Sequence, residues 1–258
     1  MGIVNVTPDS FSDGGKHSTT DAAVAHALKL AEDGADILDV GGESTRPGSV
    51  PVTKSVELAR VIPVIEKLRA RGVKTAISVD TSKAEVAKAA LSAGATIVND
   101  VTAGAGDRDM FDVCARRRAT LILMHMKGSP QSMQKNASYD DVVAEVGAHL
   151  HARANAAIKA GIKRDKIWID PGFGFGKRPE DNLQLVRKLP ELVRLGYPLV
   201  LGVSRKSTLG KLTGSDVNDR EPESLAAGLI GALKGAAVLR VHEVGWMKRA
   251  LTVLRAMW

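Results

Sequence analysis

One unit recurs along this chain of 258 residues. An amphipathic helical pattern ends near a glycine, a short apolar run follows, and that run ends in polar residues. The unit is clearest in AEDGADILDVGGEST, LSAGATIVNDVTAG and LKGAAVLRVHE. Glycine just past the end of a helix is a common stop signal. The apolar runs are short, rich in Val and Ile and barely alternate with polar residues. This pattern is typical of parallel strands buried on both faces.

The repetition predicts about eight strands separated by helices. Strands are expected near 2–6, 36–40, 75–79, 96–99, 120–124, 166–170, 198–203 and 237–241. Helices are expected near 20–33, 54–71, 83–93, 108–118, 139–160, 179–195, 207–212 with 222–234, and 245–257. Eight such units in a chain of this length predict one closed (β/α)8 TIM barrel. No linker or low-complexity segment divides residues 1–258, so we expect a single domain. An open doubly wound sheet is the structural alternative.

Composition limits the classes of function. The single cysteine, Cys114, excludes an internal disulfide and a cysteine-based zinc site, and favours a reducing, cytoplasmic setting. The net charge of +7 raises the question of nucleic acid, but the basic residues are scattered. We therefore expect no nucleic-acid partner and favour a solvated basic surface or a pocket for anionic small molecules. No apolar run is long enough to span a membrane.

Polar residues follow nearly every predicted strand. The carboxyl ends of barrel strands meet at one rim, where barrel enzymes carry their chemistry. We therefore expect one group of side chains at a single mouth: Asn5, Asp80, Asn99, Asp170, Lys206, Arg240 and His242.

Four of these side chains suit a flat heterocycle. A carboxylate such as Asp170 can accept two parallel N–H bonds, and Asn99 can both donate and accept. With Asp80 and Lys206 they predict a site for a guanine-like or pterin-like ring. For any one of them the alternative is a satisfied polar residue inside the barrel.

The remaining three suit a diphosphate. Arg240 and His242 are two residues apart on a predicted strand, so their side chains share one face. With Asn5 they predict a pyrophosphate site, and the Asn5 oxygen could hold a divalent cation.

The segment IDPGFGFGK follows the sixth predicted strand. It fits neither the G-x-x-x-x-G-K-[ST] nor the G-x-G-x-x-G phosphate pattern. Gly172, Gly174 and Gly176 are expected to let the backbone approach a ligand closely. Phe175 or Phe173 would then form an apolar wall of the pocket; the alternative is that both fill the core.

The chain resembles the dihydropteroate synthase family of the bacterial folate pathway in GIVNVTPDSFSDGG, DVGGESTRPG, ISVDTSK, LMHMKG, DPGFGFGK, GVSRKS and RVHE. The resemblance implies a (β/α)8 barrel that is a homodimer and uses Mg²⁺. It implies a transferase that joins 6-hydroxymethyl-7,8-dihydropterin pyrophosphate to p-aminobenzoate and releases pyrophosphate. The carbon–oxygen bond would break largely before the amine attacks.

Carried onto this chain residue by residue, the resemblance implies three subsites. The pterin residues would be Asp80, Asn99, Met124, Asp170, Gly202 and Lys206. The pyrophosphate residues would be Asn5, Arg46, Arg240 and His242, with Asn5 as metal ligand. The p-aminobenzoate residues would be Phe11, Thr45, Pro47, Phe175 and Ser204. The catalytic residues would be Asp9, Arg46, Asp80 and Lys206. The loops 5–15 and 43–50 would be mobile and would close over the substrates.

Three other readings remain open. A pterin-binding methyltransferase domain with a corrinoid partner would share the heterocycle site but has no need of a pyrophosphate site. A phosphosugar isomerase or aldolase barrel would want a Schiff-base lysine or a carboxylate base at its centre. A non-catalytic RNA-binding barrel would fit the positive charge.

Overall fold

The computed structural model describes residues 1–7, 16–46, 48–133 and 137–258. Its strands are β1 Gly2–Asn5, β2 Ile37–Gly41, β3 Ala76–Asp80, β4 Ile97–Asp100, β5 Thr120–Met124, β6 Ile167–Asp170, β7 Val200–Leu201 and β8 Val238–Leu239. Its helices are α1 Lys16–Glu32, α2 Lys54–Ala70, α3 Ala84–Ala93, α4 Met110–Arg117, α5 Val142–Lys159, α6 Pro179–Arg187, α7 Leu189–Val193, α8 Ser207–Thr213, α9 Glu221–Leu233 and α10 Val244–Met257.

The strands form a closed ring. Strands β1 to β6 pair in chain order as one parallel sheet, and β7 pairs with β8. Parallel bridges from Ile169 to Leu199 and from Gly2 to Val241 join the two sheets at both edges. At the second seam Ile3 N donates to Val241 O at 3.0 Å. The predicted (β/α)8 barrel is therefore confirmed over the open sheet, whereas the single-domain assignment of residues 1–258 stays a prediction.

The strands are buried on both faces, as their composition predicts. Outward-facing residues such as Leu38, Val79 and Leu121 pack with the helices in the main core. Inward-facing residues form a separate apolar cluster inside the barrel, made of Met1, Ile37, Ile97, Ile122 and Val200, with Ala76, Trp168 and Val238 against it. We call this inner cluster the barrel floor.

The structure departs from the expected elements in two places. Strands β7 and β8 have two residues each, because regular pairing stops before Gly202 and Arg240. The helix expected over 179–195 is two helices, α6 and α7, with Lys188 between them and Pro190 in the first turn of α7. Proline lacks the N–H that a continuous helix would use, but it suits a first turn.

Within the described ranges, no helix combines the length and the apolar character needed to cross a membrane.

Candidate active site

The polar site lies directly above the barrel floor. Side chains two residues apart on a strand share a face. Asp39 follows Ile37 in this way, Asn99 follows Ile97, Asp170 follows Trp168 and Arg240 follows Val238. Each of these four strands thus places an apolar side chain in the barrel floor. Its polar side chain lies one layer closer to the rim, where barrel chemistry is expected.

Arg240 connects the side chains of this polar layer by hydrogen bonds. Its Nε donates to Asp39 Oδ2 at 2.6 Å, and its Nη2 donates to Asp80 Oδ2 at 2.8 Å. Asp39 Oδ2 also accepts from Asn99 Nδ2 at 3.1 Å. One guanidinium beside β8 therefore connects side chains of β2 and β3, and Asp39 extends the network to β4.

The network contains more buried negative charge than one arginine balances. Burial raises the pKa of Asp80 to about 7, and the nearby Asp39 and Glu57 add to the rise against the attraction of Arg240. Burial lowers the pKa of Arg240, but Asp39 and Asp80 outweigh it and raise that pKa. Asp39 Oδ1 is buried with no hydrogen-bond partner. Such an atom calls for a donor, and a bound ligand or water can supply one.

A small pocket opens above this layer. Its lining contains all six residues expected to bind the pterin: Asp80, Asn99, Met124, Asp170, Gly202 and Lys206. Thr45 and Phe175, expected at the p-aminobenzoate subsite, also line it, with Val101, Phe173 and Arg240. A larger cleft lies at the opposite end of the barrel, between β8, α9 and α10. We place the site at the smaller pocket because carboxylate, amide and ammonium groups converge there at the carboxyl ends of the strands.

Asp170 is buried at the end of β6, and its side chain lines the pocket. Its Oδ1 accepts from Gly172 N at 2.7 Å. Burial raises its pKa, and the Gly172 N–H and the charge of Lys206 oppose the rise. The carboxylate can accept two more N–H bonds through its remaining lone pairs, as the predicted heterocycle site requires.

The glycines of the segment 172–177 serve another purpose than the one expected. Gly172, Gly174 and Gly176 all have positive φ. A Cβ on Gly172 would lie 1.9 Å from His125 O, and one on Gly176 would lie 2.4 Å from Lys127 O. At these two positions glycine is needed for close contact with the backbone after β5, and the close approach to a ligand stays a prediction.

The two phenylalanines have different roles. Phe173 is buried in the main core. Phe175 packs with Val101, Met124 and Met133 in a cluster at the pocket. Lys206 Nζ lies 4.0 Å from the centroid of the Phe175 ring. Phe175 is therefore the apolar wall, and its face also carries a cation–π contact.

Lys206 precedes α8 and reaches the same pocket. Burial and the charge of Arg240 lower its pKa to about 8, against the attraction of Asp170 and Asp80. It therefore stays largely an ammonium at neutral pH and can donate to a ring carbonyl or nitrogen.

His242 follows Arg240 on the same face and pairs with Ser204. Ser204 Oγ lies 2.9 Å from His242 Nδ1, and His242 N donates to Ser204 Oγ at 3.3 Å. Burial, then the charges of Arg205 and Arg240, lower the pKa of His242 to about 3. The ring is thus neutral. The contact of Ser204 is with this histidine, whereas the resemblance grouped Ser204 with the arylamine wall.

Asn5 is the only residue expected to bind the metal. It ends β1, is half-buried and pairs in register with Gly41. In the part of the chain that the structure describes, no three His, Cys, Asp or Glu side chains are grouped to hold an ion. Mg²⁺ commonly takes one or two protein oxygens and completes its shell with water and substrate phosphate. Binding of Mg²⁺ through the Asn5 oxygen therefore stays a prediction.

The loop after β2 is described except for Pro47. Thr45 lines the pocket, and Gly48 N donates to Pro130 O at 3.0 Å. Arg46 is exposed, yet its charge lowers the pKa of both Lys206 and His242, so it lies near them. The predictions for Asp9, Phe11 and Pro47 fall outside the described residues, and the mobility of both loops stays a prediction.

Two residues that sequence reasoning missed belong to this region. Asp39 is a lone acid inside an apolar strand, ILDVG. Its position could have indicated a paired acid inside the barrel, since an unpaired buried carboxylate is costly. Lys177 closes the glycine segment and is fully buried, which no pattern in the sequence indicates.

Removing the Arg240 cation should destabilise the fold. The variant Arg240→Met leaves Asp39 and Asp80 buried together without a counter-charge, and we expect a loss of about 3 kcal/mol in the free energy of unfolding. Urea unfolding followed by circular dichroism measures it. The control is Lys248→Met, which breaks an exposed pair with Asp36 and should cost less than about 1 kcal/mol. Equal losses would contradict the central role of Arg240.

Comparison with known proteins identifies the family. A profile described as "Pterin binding enzyme" matches residues 1–242. The chain is 44% identical over 256 residues to dihydropteroate synthase of Escherichia coli K12, covering 99% of this chain and 90% of that protein. It is 42% identical to that of Synechocystis sp. PCC 6803, covering 100% of this chain and 89% of that protein.

Solved structures agree with the sequence relatives. Dihydropteroate synthase of Xanthomonas albilineans with 4-aminobenzoic acid superposes with a TM-score of 0.94 at 52% identity, covering 100% of this chain and 92% of that one. The same enzyme in complex with 7,8-dihydropteroate gives a TM-score of 0.91 at 50% identity, again covering 100% of this chain and 92% of that one. The chain therefore belongs to the pterin binding enzyme family and, within it, to the dihydropteroate synthases.

Proposed function

We propose that this chain joins 6-hydroxymethyl-7,8-dihydropterin pyrophosphate to p-aminobenzoate, giving 7,8-dihydropteroate and pyrophosphate. The observation that carries the proposal is the rim pocket, where Asp170, Asn99 and Lys206 converge beside the Phe175 ring. Carboxylate, amide and ammonium groups match the edge of an aminopterin ring, and an aromatic face matches an arylamine. The X. albilineans enzyme, a relative of the same fold, has been solved with both 4-aminobenzoic acid and 7,8-dihydropteroate.

The pterin would lie flat over the polar layer. Asp170 would accept two N–H bonds from the amino-pyrimidinone edge, and Asn99 would donate and accept beside it. Lys206 would donate to the ring from the side of Phe175. Met124 and Gly202 would line this subsite, and the absence of a side chain at Gly202 leaves room in front of Arg240 and Asp170.

The reaction needs opposite charges on either side of the breaking bond. The carbon–oxygen bond breaks, its electron pair leaves with the pyrophosphate, and the pterin methylene becomes cationic. Asp80 lies on the ring side, and a developing cation favours its ionised form although burial raises its pKa. The arylamine nitrogen then forms the new carbon–nitrogen bond and loses a proton. No side-chain nucleophile is required, and the sole cysteine, Cys114, is buried elsewhere in the core.

The leaving group would be held by Arg46, Arg240, His242 and Asn5. Because His242 is neutral in the empty site, it would bind as an N–H donor through Nε2 while Nδ1 faces Ser204. Arg46 and Arg240 would supply positive charge. Asn5 would contribute one oxygen to Mg²⁺, which supplies charge neutralisation at the diphosphate when it is bound. Thr45 would lie between the diphosphate and arylamine subsites.

Homodimer formation is also proposed. Helices α9 and α10 pack together and expose large apolar side chains, among them Ile230 at 44%, Trp246 at 55% and Val253 at 58%. Burying such a face against a second copy would remove it from water. Light scattering on the purified protein measures the mass; a species near the 27.3 kDa of one chain would contradict the dimer. We further propose a cytoplasmic location, which cell fractionation tests.

A pyrophosphate-release assay tests the proposed activity. With both substrates and Mg²⁺, release should depend on p-aminobenzoate, and Lys206→Met should reduce the rate by at least about tenfold because the ring loses its ammonium donor. A methyltransferase would give no p-aminobenzoate-dependent release. Strong, salt-dependent RNA binding without turnover would favour the RNA-binding alternative.

The pterin pose predicts a specific loss in Asp170→Asn. An amide presents one acceptor oxygen, so it cannot keep Gly172 N–H and two ligand donors. We expect pterin affinity to fall by about 2–4 kcal/mol in calorimetry, since a buried charged acceptor is replaced. The control Asp36→Asn changes an exposed acid at the start of β2 and should leave affinity unchanged. Unchanged affinity in Asp170→Asn would refute the pose.

A further inference from the structure

The ammonium of Lys177 lies in the interior beside the active site. The side chain is 2% exposed. Its Nζ is 2.9 Å from His125 Nδ1, 3.0 Å from Gly172 O, 3.0 Å from Phe175 O and 3.3 Å from His125 O. Three protons thus face four acceptors, and two of those acceptors are backbone carbonyls of the same glycine segment.

A buried ammonium is unfavourable unless its surroundings compensate it. Burial, aided by the charge of Lys206, lowers the pKa of Lys177 to about 7, against the attraction of Asp170 and Asp181. His125 suits the role of acceptor, because burial and the Lys177 charge lower its own pKa to about 2 and leave the ring neutral. The ring of His125 is held in turn by an edge contact to His149 at 4.9 Å.

Lys177 therefore joins two loops that the strands alone do not join. One is the segment 172–177 after β6, and the other begins at His125 after β5. The opposite side of the segment 172–177 is held by Asn182, which accepts from Gly174 N at 2.7 Å and donates to Thr208 Oγ1 at 3.0 Å. Phe175 lies between these two attachments.

We propose that Lys177 is a positioning residue for the arylamine subsite, which it orders by fixing the backbone carbonyl of Phe175. The proposal rests on the proposed function in taking Phe175 as the wall against which p-aminobenzoate binds. Asp170 depends less on Lys177, because pairing of β6 with β5 fixes its backbone, and Lys177 reaches its carboxylate only indirectly, through Gly172. Lys177 thus acts on one substrate more than on the other.

The variant Lys177→Met keeps the length of the side chain and removes every donor. We expect KM for p-aminobenzoate to rise about tenfold, while the dissociation constant of the pterin pyrophosphate, measured by calorimetry, changes less than about threefold. The control Lys248→Met makes the same substitution at a lysine that pairs with exposed Asp36 at the other end of the barrel. It should change neither constant. Equal losses for both substrates, or an unchanged KM for p-aminobenzoate, would overturn the proposal.

A double-mutant cycle with Phe175→Leu tests whether Lys177 acts through Phe175. If it does, Lys177→Met should raise KM for p-aminobenzoate much less in the Phe175→Leu background than in the wild type. If the fold-changes in KM for p-aminobenzoate of the two single variants multiply in the double variant, Lys177 does not act through Phe175. If Phe175→Leu alone leaves KM for p-aminobenzoate unchanged, the assignment of the wall fails. If only Phe175→Leu raises it, the role of Lys177 fails and the proposed function stands.

A milder variant covers the case in which Lys177→Met does not fold. Lys177→Gln keeps two donors, so the rise in KM for p-aminobenzoate should be smaller but in the same direction. Hydrogen exchange in the folded Lys177→Gln protein should accelerate in the peptide spanning 172–177 and stay unchanged in α3. Unchanged exchange in that peptide would show that Lys177 does not hold the segment.

Discussion

The pairing of Arg240 with Asp39 and Asp80 is the interaction on which this site depends. Asp39 and Asp80 are both buried above the barrel floor, where two uncompensated carboxylates would be costly. One guanidinium, with Nε towards Asp39 and Nη2 towards Asp80, makes their burial possible. Because Arg240 lies where β8 returns to β1, the contact also links the closing seam of the barrel to β2 and β3. Closure of the fold and assembly of the site are thus coupled through one side chain.

This coupling changes the division into a heterocycle subsite and a diphosphate subsite. Arg240 was grouped with Asn5 and His242, yet its hydrogen bonds are to residues on the heterocycle side. A ligand that draws Arg240 towards a diphosphate weakens its hold on Asp80. In the proposed reaction the freed carboxylate would stabilise the carbon from which the diphosphate departs. The two proposed subsites would then be adjacent ends of one charge network, which is the arrangement that a bond breaking into opposite charges requires.

Sequence reasoning located the strands and most of the rim because both follow from periodicity. A parallel barrel needs continuous apolar runs, and a residue at a strand end must face the mouth. The same reasoning could not find Lys177, whose burial depends on the fold of a loop from another strand. Nor could it explain Gly172 and Gly176, since the carbonyls that exclude a side chain there belong to His125 and Lys127. The role of Asp39 could have been predicted, because a lone acid in an apolar strand has to be paired inside the barrel.

The electrostatics of the site support a proposed preference for a diphosphate ester over the free pterin alcohol. Arg240, Lys206 and Arg46 all lower the pKa of His242, and Arg240 and Arg46 also lower that of Lys206. Asp39 and Asp80 offset the charge of Arg240 through their hydrogen bonds to it, whereas Arg46 is exposed and adds positive charge at the mouth. A bound diphosphate would place negative charge beside Arg46 and Lys206 and would lower the repulsion between them. A neutral alcohol leaves the repulsion in place. The proposed preference would therefore come from relief of the repulsion among Arg46, Lys206 and Arg240, and it would act at the oxygen that must leave.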